Sequence, residues 1–339
     1  MRAYKISALL LLLVLAACAN KSAGPARPSA SATPDAKLAQ LQSALEKLAQ
    51  KSDGVAGVSA LHLETGRRVA VRGAEWFPQA SVRKLPVALQ LLARVERGEE
   101  SLERVIELKP SDLRNGVDAE ARWQKRGNKF PLREFLEYSI IQSDNTAMDV
   151  TLKAGGGVAE VMKRLNEWGV KDVDVSRDSR QLGADYNDIT QLPAEDEFTV
   201  EKFQELVAAV PAERKKAAQI RVEQDKRDSA TPGGMTDLLA KLFRGQLLRS
   251  EMTAQLLSIM RRAETGPGRL KGLLPPGTEV AHKTGTYDRS CNDVGIITLP
   301  NGKGYVAISV FTKGTTAPEE AKERVIAEIS RAVYDFFVA

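Results

Sequence analysis

Apolar residues recur at two different periods along this chain, and the changes of period divide it into segments. Leu38, Leu41, Leu45 and Leu48 repeat at helical spacing and predict an opening helix from about Ala36. Val55 to Leu63 alternates loosely, Glu64-Thr65-Gly66 supplies a turn, and Val69-Ala70-Val71 completes a hairpin. Helical patterns then occupy Leu85 to Val95, Leu132 to Ile141, Thr146 to Lys153 and Val158 to Trp168. A mostly helical stretch continues to about Met260, with a charged segment at 184–224. Strand patterns return at Asp293 to Leu299 and Tyr305 to Phe311, about the turn Pro300-Asn301-Gly302, before an amphipathic helix from Ala317 to Phe337. Strands contributed by both ends, with helices between them, predict an α+β fold. One antiparallel sheet is assembled from both termini, and a helical region (roughly 85–262) is inserted into it.

Composition narrows the class. With 339 residues, 43% of them hydrophobic, the chain can bury one large core or two small ones. Arg2 and Lys5 account for two units of a net charge of only +5, a surplus too small to argue for nucleic acid. Those two residues form the basic start of an export signal at residues 1–18. Ile6 to Leu15 is its apolar run, too short for a bilayer-spanning helix. Leu15-Ala16-Ala17-Cys18 resembles a lipobox, in which Cys18 becomes the acylated first residue; the plainer alternative is an ordinary signal peptide with an incidental Cys. Lipidation would anchor the body without a membrane helix. Ala19, where lipoproteins kept at the inner membrane usually carry Asp, points to the outer membrane and a periplasmic address. Residues 19–35 are rich in Ala, Ser and Pro and read as a flexible tether, so the folded body is expected over 36–339. With Cys18 committed to lipid, Cys291 has no disulfide partner. Two His and two Cys, scattered, make no metal set, and no cofactor is expected.

Three short motifs then stand in order: Ser81-Val82-Arg83-Lys84, Ser143-Asp144-Asn145 and Lys283-Thr284-Gly285. At average frequencies about one Ser-x-x-Lys is expected by chance in a chain this long, and on the order of a tenth of either tripeptide. Singly, then, each is better explained structurally, as a helix cap, a turn and a solvated edge-strand lysine. Together, in this order, they are better explained as a site. Ser81 opens a helical pattern, and a spacing of three places Lys84 one turn on, on the same face. A lysine held against a serine hydroxyl in a partly dry site can have a lowered pKa and take its proton.

The surrounding residues carry a family resemblance. Phe77-Pro78-Gln79-Ala80-Ser81-Val82-Arg83-Lys84-Leu85-Pro86 resembles the active-site segment of class A β-lactamases. Tyr138 to Ala147, Thr265-Gly266 to Thr286, and Asp225 to Pro232 resemble further stretches of that family, the last being the stretch that closes its Ω loop. The likeness spans most of residues 40–339. It implies a five-stranded antiparallel sheet flanked by helices beside an all-helical domain, with the site between them. It implies attack on the lactam carbonyl by Ser81 with the help of Lys84, and proton relay through Ser143. Asn145 would hold Lys84 and the substrate amide. Lys283 and Thr284 would orient the substrate carboxylate. The backbone N–H groups of Ser81 and Thr286, beside Gly285, would form the oxyanion hole. It further implies a monomer acting on a small-molecule β-lactam.

One part of the pattern is broken. Arg177 and Asp228 match the ion pair that closes the family's Ω loop, but Ser179 stands where the Glu that activates the deacylating water is expected. Gly183 replaces the usual Asn, and 184–224 is extra or divergent. A serine hydroxyl is no general base near neutrality. Either another carboxylate fills the place, with Asp185, Glu195, Asp196 and Glu197 as candidates, or deacylation is slow; an acidic cluster in a long insertion is more often a solvated loop. Asp178, next to Ser179, is expected to point elsewhere. His62 reads as a structural strand residue, and His282, adjacent to Lys283, faces away from it. The primary expectation is a serine β-lactamase. Its rivals are a β-lactam-binding or sensing protein that stays acylated, and a D,D-peptidase.

Overall fold

Strands covered on both faces read as nearly continuous apolar runs, and that is why Val55 to Leu63 alternates only loosely. The computed structural model describes residues 34–115, 123 and 125–339. The signal and lipobox readings at residues 1–18, including Cys18, and nearly all of the tether reading lie outside the described residues. A five-stranded sheet has the order β2-β1-β9-β8-β7. It comprises β1 (Val55–His62), β2 (Arg68–Val71), β7 (Val280–Tyr287), β8 (Ser290–Thr298) and β9 (Tyr305–Lys313). Every pairing is antiparallel, and β1 lies beside β9 with Val58 opposite Val310, so the two ends of the chain build one sheet.

Alternate residues of these strands enter two cores. Val58, Ala60, Val306, Ile308 and Val310 pack against α1 (Pro34–Ala49) and α11 (Glu319–Val338), through Leu41, Leu45, Ile326 and Val333. Ala281, Val294, Ile296, Ala307 and Phe311 join the larger core on the opposite face, with α2 (Lys84–Glu96) and α9 (Pro232–Phe243). Every residue of α2 from Lys84 to Ala93 is buried. A helix buried all round has no solvent face on which to move, so it fixes the residues at its N-terminus. Around it pack α3 (Leu132–Ile141), α4 (Asn145–Ala154), α5 (Val158–Glu167) and α10 (Ser250–Arg261). Trp123 stacks on Phe135 at 4.8 Å and meets Phe130 and Tyr138 edge-on, welding the ends of this helical layer together.

The charged segment 184–224 is largely helical. It contributes the end of α6 (Ser179–Tyr186), then α7 (Val200–Ala209) and α8 (Ala212–Gln224), around a small apolar cluster of Ala184, Ile189, Phe198 and Phe203. Helix α8 is tied to the β7–β8 turn, where Glu223 Oε1 accepts from Arg289 Nε at 3.0 Å. The segment therefore leans over the edge strand of the sheet. His62 is structural: its ring meets Thr65 Oγ1 at 2.9 Å and the Lys303 carbonyl at 2.8 Å, and stacks on Phe337. Cys291 is a free, buried thiol.

Candidate active site

The short strand β3 (Phe77–Pro78) pairs with β6 (Ser229–Ala230) and delivers the chain into a tight turn. Ala80 takes a positive φ of 48°, and residues 80–83 form one 3₁₀ turn before α2 begins. Ser81 therefore lies just ahead of the helix and does not cap it. Its hydroxyl instead lies 3.0 Å from Lys84 Nζ. The same nitrogen is 2.5 Å from the Ser143 carbonyl oxygen, 2.8 Å from Asn145 Oδ1 and 3.2 Å from Ser143 Oγ.

Capping in the second motif falls to its middle residue. Asp144 Oδ1 accepts from the Ala147 amide at 2.8 Å, and its other oxygen accepts from Trp123 Nε1 at 3.3 Å. Ser143 can then adopt a left-handed turn, at φ 60°, and project toward Lys84. Asn145 Nδ2 donates to the Asn115 carbonyl at 2.9 Å, which sets the amide so that Oδ1 faces Lys84. From the sheet, Lys283 Nζ donates to Ser143 Oγ and to the Thr284 carbonyl, both at 2.9 Å. Though on an edge strand, Lys283 has no solvent exposure. Gly285 lets β7 press against the nucleophile turn, since a Cβ there would stand 2.3 Å from the Gln79 carbonyl. Three elements distant in sequence thus converge on one hydrogen-bonded chain: Ser81, Lys84, Ser143, Lys283.

Burial governs the electrostatics. Lys84 is pushed down to about 7, chiefly by desolvation and then by the neighbouring Arg83 charge. Desolvation, and next the charge of Lys84, lower Lys283 well below the usual lysine range. Thr284 Oγ1 shares a 2.5 Å hydrogen bond with Thr265 Oγ1. Arg269, buried at the foot of β7, donates to Thr286 Oγ1 at 2.8 Å and to the Gly285 carbonyl at 3.2 Å, bracing the strand that carries Lys283. His282 points to the other face and pairs with Asp293 at 2.9 Å.

A cavity of about 270 Å³ opens beside Ser81, between α2, α6 and β7. Ser179 and Gly183 line it, as do Tyr186 and Tyr287, whose stacked rings 4.9 Å apart close one side. Among the described residues lining it none is a carboxylate. None of the acidic candidates of the insertion lines this cavity. Asp185 is spent on Arg177 at 2.6 Å, and Glu195 faces Lys153 across a different cavity, which Asp196 also lines. Glu197 sits with them in a 3₁₀ turn, and does not line the cavity beside Ser81. Asp178 caps α6 by accepting from Gln181 N at 2.7 Å. Behind Ser179 lie two charged groups that motif spacing had not singled out. Arg83 Nη2 reaches Ser179 Oγ at 3.4 Å while Nη1 donates to the Arg177 carbonyl at 2.5 Å. Asp149 accepts from Ser179 N at 2.9 Å and from Arg114 Nε at 2.6 Å. Only the helical spacing of Asp149 from Asn145 signalled its position; nothing local marked Arg269.

The Arg177–Asp228 pair closes this region, with Nε 2.6 Å from Oδ2 and both side chains almost fully buried. Asp228 Oδ1 also accepts from Ser176 N at 3.0 Å and lies 3.5 Å from Arg83 Nη1.

Comparison with known proteins places the arrangement. The model of the β-lactamase enzyme family matches residues 40–337. β-Lactamase VEB-1 of Pseudomonas aeruginosa is 31% identical over 276 residues, covering 77% of this chain and 78% of that protein. The extended-spectrum β-lactamase PER-1 of the same organism is 28% identical over 270 residues, covering 77% and 76%. Among solved structures, a β-lactamase from Chitinophaga pinensis superimposes with a TM-score of 0.73 at 29% identity, over 87% of this chain and 98% of that one.

Asp228 balances two buried guanidinium groups, so Asp228→Asn leaves both short of charge. It is expected to cost about 3–5 kcal/mol, read as a lower urea midpoint, with faster amide exchange concentrated between Ser176 and Ser229. An unchanged midpoint would show that the pair is not what holds this region.

Proposed function

The chain belongs to the β-lactamase enzyme family, and on that premise we propose that Ser81 opens the β-lactam ring through a covalent acyl-enzyme. It is a serine hydrolase. The observation that carries the assignment of roles is the 3.0 Å contact between Lys84 Nζ and Ser81 Oγ, in a hydrogen-bonded network built on the buried Lys84 and Lys283.

Lys84, in its neutral form, takes the hydroxyl proton as Ser81 Oγ attacks the lactam carbonyl carbon. The oxyanion is received by the backbone N–H groups of Ser81 and Thr286; one such donor is worth about 3 kcal/mol of transition-state stabilisation. The proton then passes from Lys84 through Ser143 Oγ, 3.2 Å away, to the ring nitrogen as the C–N bond breaks. Lys283 attracts and orients the substrate carboxylate together with Thr284. That carboxylate in turn favours the charged form of a lysine which burial otherwise disfavours. Asn145 keeps Lys84 in place and receives the substrate's amide side chain. Water then releases the acyl group from Ser81.

The same reading extends to location. Arg2, Lys5, the run Ile6 to Leu15 and the sequence Leu15-Ala16-Ala17-Cys18 support export and lipid attachment at Cys18. The catalytic body then works as a monomer in the periplasm, held to the outer membrane.

With a chromogenic cephalosporin the wild-type chain is expected to give steady colour and a transient mass adduct. Ser81→Ala should remove both, with a loss in turnover of at least about 10³-fold. Colour without dependence on Ser81 would contradict the nucleophile assignment. Cys18→Ser is expected to move the protein from the membrane fraction to the soluble one, and continued membrane retention would exclude the lipid anchor.

A further inference from the structure

We propose that Lys84 is the general base of deacylation as well as of acylation, so that one lysine serves both halves of the reaction. This rests on the acyl-enzyme reading above. It starts from what surrounds Ser81. The cavity on the Ω-loop side of the nucleophile is lined by Ser179 and Gly183, and no carboxylate among the described residues lines it. Arg83 brings a guanidinium to Ser179, and a permanently charged donor cannot accept a proton. Tyr186 and Tyr287 also line the cavity, but burial raises both hydroxyls, Tyr287 to about 12, and keeps them protonated. Asp149 is already occupied by Ser179 N and Arg114 Nε. Lys84 remains.

The geometry around Nζ suits that role. An ammonium has three hydrogens and no lone pair, yet four oxygens lie within 3.2 Å of this nitrogen. Two of them, the Ser143 carbonyl at 2.5 Å and Asn145 Oδ1 at 2.8 Å, can only accept. A neutral amine satisfies both with its two hydrogens. Its lone pair is then left for a proton donor on the Ser81 side, where Oγ lies 3.0 Å away.

The charges facing Lys84 maintain that state. Arg83 on its own turn opposes its protonation, while Asp144, which caps α4, and Asp149, within it, favour it; Lys283 on β7 faces it as a second buried amine whose own protonation Lys84 opposes. Desolvation outweighs them, and the group titrates at about 7. The relay also resets it: once Ser143 has delivered the first proton to the ring nitrogen, Lys84 is neutral again. Water then attacks the acyl carbon as Lys84 takes one water proton. The tetrahedral adduct collapses with cleavage of the carbon–Oγ bond, and Lys84 returns its proton to Oγ. The product leaves as an acid that loses its own proton to solvent.

The test follows decay of the Ser81 adduct in the full-length protein by intact mass, after excess cephalosporin is removed, from pH 5 to 9. A limb is expected with its midpoint near 7, the rate falling about tenfold per unit below it. Asp149→Asn should keep that limb. Lys84→Cys, alkylated to the aminoethyl thioether, should recover decay with the limb moved to lower pH, because the sulfur withdraws charge from the amine. The wild-type chain, whose Cys291 is buried, is treated in parallel. A rate flat from pH 5 upward, or a limb lost in Asp149→Asn, would overturn the proposal in favour of a carboxylate base. A permanent wild-type adduct would also overturn it while leaving acylation at Ser81 intact. Absence of any adduct would remove the acyl-enzyme reading itself.

Discussion

Two lysines meet at one serine. Lys84 and Lys283 stand 3.2 and 2.9 Å from Ser143 Oγ, and both are essentially without solvent. Burying two like charges this close costs far more than a fold of this size could spare, unless one or both give up their protons. That constraint makes a base out of a residue type that is normally a solvated cation. It also explains the architecture around the pair: a helix buried on every side carries Lys84, a left-handed turn presents Ser143, and an edge strand shielded by the helical layer carries Lys283.

The nucleophile side and the Ω side of the cavity are built on different principles. On the first, neutral hydrogen bonds form a continuous path along which a proton can move. On the second, ion pairs hold the backbone: Arg177 with Asp228 and Asp185, Arg114 with Asp149. Carboxylates are plentiful there, but Asp149, Asp178, Asp185 and Asp228 all accept from a guanidinium or an amide. They stabilise the shape of the loop and supply no free base beside Ser81. The helical insertion adds a second layer, through the Tyr186–Tyr287 stack and the Glu223–Arg289 pair, which fastens the Ω region to β7.

Much of this was legible in the residues. Periodicity located the paired termini of the sheet and the two helices between which Ser143 lies, because those segments are long and strongly patterned. Order and spacing singled out Ser81, Lys84, Ser143 and Lys283. The insertion was harder to read. Its helix α8 has little apolar face, so periodicity did not mark it out although it packs against the β7–β8 turn. Arg83 and Arg269 were passed over because their importance comes from tertiary contacts that no local spacing announces, and Asp149 because its helical spacing from Asn145 says nothing of its partners. The acidic residues of 184–224 could be offered only as candidates, since charge in sequence does not say which partner already holds it.

Both halves of the reaction turn on Lys84 being a base at neutral pH. The most direct test is an NMR titration of the lysine side chains labelled at Cε and Nζ, with the Lys84 signal assigned by its loss in Lys84→Arg. The Lys84 signal is expected to titrate at about 7, far below the usual 10.5. A Lys84 signal that stays protonated to pH 10 would contradict it, because the group would then have no lone pair to offer in either half of the reaction.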